Sequence, residues 1–169
     1  TKYLLQKKVL VRKLPAVETL GSVNVICTDK TGTLTENEMT VKKIWAGGKI
    51  FNVSGEGYSS SGDILFDKRK INPLERGGLR QLLEIGLLCN NAELTLEKEV
   101  IGDPTEAALL VSAAKLGLER KKLSLEKHRL REIPFSSERK RMTVMLHTGK
   151  KDLAYTKGAV GHLLHSCTK

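Results

Sequence analysis

Asp29 closes a run of strand character, Val23-Asn24-Val25-Ile26-Cys27-Thr28, and is followed by Lys30-Thr31-Gly32-Thr33-Leu34-Thr35. A carboxylate at the C-terminal end of a buried parallel strand stands where open α/β sheets place their ligands. The loop behind it offers backbone N–H groups, hydroxyls and one lysine, the groups that hold a phosphoryl oxygen. This pattern predicts Asp29 as a nucleophile toward phosphorus, giving an aspartyl phosphate.

A second set of chemically capable residues lies further along. Asp103-Pro104-Thr105-Glu106 reads as a helix start, with Asp103 as N-cap, Pro104 at the first position and Glu106 at the third. Glu106 either completes that cap or turns off the helix to accept a ligand N–H. Phe135, with Arg139, Lys140 and Arg141 behind it, could stack a purine beside cations or sit in the core. Lys157 at a strand end, with Gly158 before a helix, gives a cation and a close backbone approach to a ligand.

The elements expected to position these groups are an N-terminal basic helix, a short helix from Pro15 to Gly21, and the strand leading to Asp29. The chain then continues through a strand over residues 42–45, turned by Gly47-Gly48 into a hairpin with 49–53. Residues 54–72, rich in Gly, Ser and Asp, read as a loop. Pro73 opens a helix whose apolar positions Leu79, Leu82, Leu83, Leu87 and Leu88 follow helical spacing. A second helix runs from Asp103-Pro104 to about Gly117. A charged segment follows, then strands near 130–135, 142–147 and 153–156, and a last helix. The expected fold class is α+β: an antiparallel sheet with flanking helices over residues 39–169, preceded in 1–38 by a lead helix and the first strand of an α/β phosphorylation domain.

Composition narrows the function classes. With 40% hydrophobic and 28% charged residues, the 169-residue chain reads as globular. No apolar stretch reaches the roughly 18–20 residues of a membrane span, and no signal peptide is visible. The cysteines, Cys27, Cys89 and Cys167, are widely spaced, which argues for reduced thiols over a disulfide framework or a zinc site. Cys27 reads as a small core residue of its strand, and the His162/His165 pair lacks further ligands for a metal. A net charge of +10 with only 4% aromatic residues points to a polyanionic small ligand such as ATP, and not to nucleic acid.

The segment Asp29–Thr35, DKTGTLT, resembles the phosphorylation motif of the P-type ATPases at all seven positions. The run Val11–Gly21 is similar to that family's stretch before the phosphorylation strand. In the same order, Gly102–Leu109 resembles the calcium-pump-like GxxTExAL segment, Pro134–Val144 the FxSxxKxM element, and Lys157-Gly158-Ala159 the KGA element. The resemblance implies that Asp29 is phosphorylated while Lys30, Thr31 and Thr33 attend the phosphoryl group. It implies that Glu106, Phe135, Lys140, Lys157 and Gly158 bind ATP, Glu106 facing the adenine amino group and Phe135 stacking on the ring. Asp29 and the Thr31 carbonyl would be part of an Mg²⁺ site. A hinge near 37–39 would bring the γ-phosphate to Asp29. The order of elements resembles type II, calcium-pump-like pumps more than heavy-metal pumps.

Three departures stand out. Ser137 occupies a position that carries Arg in some calcium pumps, and Val160-Gly161 follows the KGA element where Pro-Glu is usual. The second Asp that phosphatases of the wider haloacid dehalogenase superfamily place two residues after the nucleophile is Thr31 here. A threonine cannot shuttle protons near neutral pH, which favours a long-lived acyl phosphate over a soluble phosphatase. A stand-alone nucleotide-binding module is the rival from another class. The family's later TGD and GDGxND elements are not in these residues, so the chain is expected to be a fragment. It would work at the cytoplasmic face of a membrane with the pump's other cytoplasmic domains, the transported cation passing through a separate membrane part.

Overall fold

The computed structural model describes residues 2–13, 15–72, 75–95 and 100–168. They divide into two compact units, residues 1–37 and 38–169.

Among its described residues the first unit holds two short helices, α1 (Lys2–Gln6) and α2 (Pro15–Gly21). The expected strand before Asp29 is absent: residues 22–28 carry no regular structure, and Val25 and Ile26 are 72% and 82% exposed. Cys27, expected in the core, is exposed as well. A strand needs a neighbour to satisfy its N–H and C=O groups and cover its apolar face. No second strand exists among the described residues of this unit, so the strand propensity of Val23–Thr28 has nothing to pair with.

Among its described residues the second unit contains three antiparallel sheets and four helices. β1 (Lys43–Ala46) and β2 (Lys49–Val53) form the expected hairpin. Gly47 and Gly48 both take positive φ, 55° and 71°, as the two central residues of a type I′ turn must. The stretch read as a loop contains a second hairpin, β3 (Ile64–Phe66) and β4 (Arg69–Lys70). Its turn residues Asp67 and Lys68 take positive φ without being glycine, which is why turn composition did not reveal it. Packing compensates, since Ile64 is 1% exposed and joins the core.

Pro73, the expected helix start, lies outside the described residues. Helix α3 (Gly77–Leu88) buries Leu79, Leu83, Leu87 and Leu88 as its periodicity required; Leu82 stays exposed at 45%. Two-residue strands β5 (Glu93–Leu94) and β6 (Val100–Ile101) pair before α4 (Pro104–Ala114). The charged segment after α4 contains helix α5 (Arg120–Glu126), anchored by buried Leu123. Strands β7 (His128–Ser136), β8 (Arg141–His147) and β9 (Asp152–Gly158) form the last sheet with β8 central, followed by α6 (Val160–Leu164). Met142, Val144 and Leu146 of β8 point into one core with α3, β1 and β2 residues such as Ile44 and Phe51. Helix α3 packs against α4, α5, β1 and β9.

Candidate functional site

Pro104 and Asp103 start α4 as the sequence predicts: Asp103 Oδ1 accepts the N–H groups of Thr105 at 2.8 Å and Glu106 at 3.2 Å. These bonds hold the Asp103 carboxyl below its usual range, the Thr105 bond most of all. With the cap satisfied by Asp103, the Glu106 side chain turns away from the helix. Its Oε2 accepts the backbone N–H of Asn91 at 2.8 Å and of Ala92 at 3.0 Å, and its Oε1 takes the Lys157 ammonium. Burial pushes the Glu106 carboxyl up, but the Lys157 bond and the two amides outweigh it and keep the group below the ordinary carboxylate value. The pair joins α4 to β9 across 51 residues of sequence.

This ion pair stands in the wall of a cavity of about 680 Å³, a size suited to a small organic ligand. The apolar side is made by Val41, Ile44, Leu82, Ile85, Leu109 and Leu163; Phe135, Thr156 and Gly158 also line it. The structure therefore brings Glu106, Phe135, Lys157 and Gly158 to one cavity. Phe135 is 60% exposed, so the core alternative for it does not hold. Its position follows from Pro134, which lacks an N–H and lies where the β7–β8 register shifts, between Ile133 and Ser136. Proline in a sheet is confined to such edges and irregularities, and β7 is an edge strand.

Lys140 is not brought to the cavity wall. Its exposed side chain leaves the β7–β8 turn at φ 51°, and its carbonyl accepts the N–H of Ala159 at 3.0 Å. Gly158 meets its own chain closely: a Cβ there would lie 2.8 Å from Arg141 Cα and closer still to the Lys140 carbonyl oxygen. The close backbone approach expected at Gly158 is thus made to β8 and its turn.

In the other unit, Asp29 and Thr31 are exposed, and Asp29 Oδ1 accepts the Thr31 N–H at 3.3 Å. The loop closes on itself through the N–H groups of Leu34 and Thr35, which donate to the Lys30 carbonyl at 3.1 and 3.2 Å, with Gly32 at φ 71°. Thr33 and Lys30 are exposed on the same turn. For Mg²⁺, which takes six oxygens in a near-octahedral shell, one carboxylate and one carbonyl do not make a site. Among the described residues no group of three His, Cys, Asp or Glu side chains could hold a metal, and no helix is long and apolar enough to cross a membrane.

The residues missed by sequence reasoning are those that hold Glu106 in place. Asn90, Asn91 and Arg120 surround the turn after α3; the polarity of Asn90 and Asn91 after the apolar Leu87-Leu88-Cys89 run was the signal for those two, and nothing local marked Arg120.

A family model described as "P-type ATPase, cytoplasmic domain N" matches residues 78–169. The chain belongs to the P-type ATPases. The match begins at α3 and takes in every residue that meets at the cavity wall except Val41 and Ile44. Relatives of this P-type ATPase chain extend the similarity over 96–98% of its length. It is 46% identical to a cation-transporting ATPase, pma1, of Synechocystis over 96% of this chain and 19% of that protein. It is 41% identical to a calcium-transporting ATPase of Bacillus subtilis, over 98% of this chain and 19% of the relative. The human calcium-transporting ATPase type 2C member 1 is 39% identical over 98% of this chain and 18% of the relative. The chain thus spans about a fifth of the length of these relatives. Its α+β fold, helices over antiparallel sheets, agrees with the N-domain match.

Proposed function

We propose that this P-type ATPase chain is the ATP-binding and phosphate-accepting part of a cation pump of the calcium type, acting at the cytoplasmic face of a membrane. ATP binds in the cavity of residues 38–169 with its base stacked against Phe135 and its amino group toward Glu106, Lys157 standing beside that carboxylate, and Asp29 accepts the γ-phosphate. Lys30, Thr31 and Thr33 attend that phosphoryl group, and Lys140 contributes a cation from the adjoining turn. Mg²⁺, when bound with the nucleotide, offsets phosphate charge. The remaining cytoplasmic parts and a membrane part of the pump are the partners, and the transported cation passes through the latter.

The observation that supports this reading is the convergence of Glu106, Phe135, Lys157 and Gly158, from three separate sequence segments, on one cavity. Apolar walls with one ion pair suit a planar base whose edge carries hydrogen-bonding groups. The 169-residue chain should bind ATP with a Kd of roughly 0.1 to a few mM, about −4 to −5.5 kcal/mol, with little dependence on Mg²⁺. Titration followed by amide NMR checks this, and unchanged spectra at ~10 mM ATP would refute it.

Phe135→Ala separates stacking from packing. Because Phe135 is mostly exposed, the variant should lose about 1–3 kcal/mol of ATP affinity while its melting temperature stays close to that of the parent. A large fall in melting temperature with unchanged affinity would reverse the assignment.

A further inference from the structure

We propose that Arg120 is a positioning residue for the Glu106–Lys157 pair, acting through the peptide that joins Asn90 to Asn91. The inference rests on the reading of this cavity as the nucleotide site, and it concerns a residue outside the cavity wall.

Arg120 opens α5 with a half-buried guanidinium. Its hydrogen bonds go to two main-chain carbonyls: one nitrogen donates to Ala92 O at 2.9 Å and the other to Asn90 O. Burial pushes the guanidinium down from its ordinary value, with Arg129 adding to the effect. A cation placed there at a desolvation cost must act on what it touches. The Asn90 carbonyl belongs to the same peptide unit as the Asn91 N–H, and that N–H donates to Glu106 Oε2 at 2.8 Å. Arg120, the 90–91 peptide, Glu106 and Lys157 therefore form one hydrogen-bonded chain with a cation at each end and the carboxylate between. Bonds in such a chain polarise one another.

The turn that carries this peptide is fully specified. Asn90 is 0% exposed. Its Nδ2 donates to Gly86 O at 2.9 Å and Glu106 O at 2.8 Å, and its Oδ1 accepts the Ala92 N–H at 2.9 Å. Outside it, Asn91 Nδ2 donates to Glu132 Oε1 at 2.8 Å, and Arg129 donates to Asn91 Oδ1 at 2.9 Å and to Glu132 Oε2 at 2.6 Å. The charged and titratable groups that face Glu106 or the residues holding it are Lys157 from β9, Asp103 on its own helix, Arg120 from α5 and the Cys89 thiol, with Arg129 and Glu132 of β7 on Asn91 and Glu93 of β5 by Arg120. Arg120 is the one whose effect reaches Glu106 through a single peptide.

The test is Arg120→Gln in the 169-residue chain, with the Glu106 carboxyl followed by ¹³C NMR titration and the Asn91 amide by ¹H–¹⁵N spectra. The expected result is a Glu106 midpoint raised above the parent's, an upfield shift of the Asn91 amide proton, and unchanged signals from Val144 and Leu146. ATP affinity should fall roughly three- to tenfold, and Arg120→Gln should cause no further fall in a Glu106→Gln background. An unchanged Glu106 midpoint and Asn91 amide would overturn the proposal. Should Arg120→Gln not fold, Glu106→Gln reads the chain from its other end. Faster exchange of the Arg120 guanidinium protons supports the link, and unchanged exchange overturns it. If the parent chain binds no ATP, the proposed nucleotide site fails, while the titration and amide shifts still decide the role of Arg120.

Discussion

Glu84→Ala is expected to lower the unfolding free energy by about 3–5 kcal/mol, the range seen when one member of a buried ion pair is removed. Glu84 is 6% exposed on α3. Its Oε1 accepts from Arg80 Nε at 2.8 Å, and its Oε2 takes the Lys127 ammonium from the end of α5. Lys127 also donates to the Tyr155 hydroxyl at 3.1 Å and lies 5.5 Å from the centre of that ring. Deleting Glu84 leaves the Lys127 cation, 17% exposed, without a counter-charge. Replacing both residues by Met should restore much of the loss, because the desolvation cost disappears with the pair.

The same network gives a pH dependence. Burial pushes the Glu84 carboxyl up, and the bonds from Lys127 and Arg80 outweigh this to bring it below the ordinary carboxylate value. The unfolded chain therefore takes up its proton first as pH falls. The stabilisation is complete above about pH 4.5 and is lost as pH drops through the lower folded value. Glu106, lowered in the same sense, adds to the loss. Chemical denaturation at pH 7 and at pH 3 to 4 should show a steep acid decline in the parent that is shallower in Glu84→Ala. An equal decline in both would remove Glu84 from the explanation.

The 169-residue chain incubated with ATP and Mg²⁺ is expected to take up no acid-stable phosphate on Asp29, even if Asp29 is the acceptor in the intact pump. The carboxylate and the transferring phosphate are both anionic, and their approach has to be neutralised by metal and lysine. Asp29 stands exposed on its loop, bonded to the Thr31 N–H, and the described residues offer no three-ligand metal cluster. Lys30 alone is one exposed charge. In a full-length pump containing this segment, labelling should occur and Asp29→Asn should abolish it. Hydroxylamine-sensitive ³²P in the short chain alone would overturn the expectation.

Legibility followed the range of the interaction that decides each feature. The β1–β2 hairpin was readable because Gly47-Gly48 sets its own turn geometry, and the α3 core face because Leu79, Leu83 and Leu87 repeat with the helix. The β3–β4 hairpin was not, because its turn residues Asp67 and Lys68 take positive φ without being glycine. Helix α5 was hidden in a charged stretch by having one buried anchor, Leu123.

Sequence alone determined the DKTGTLT loop, the Asp103-Pro104 helix start and the candidacy of Glu106, Phe135, Lys157 and Gly158 for one site. Each depends on local sterics, nearest-neighbour hydrogen bonds or residue type. Tertiary structure decided the rest. It directed the Glu106 carboxylate to the Asn91 and Ala92 amides and to Lys157, and it turned Phe135 out of the core at the Pro134 irregularity. It left Lys140 on a turn and Val23–Thr28 without a strand partner. These outcomes rest on groups tens of residues apart in the chain, whose meeting no local pattern records.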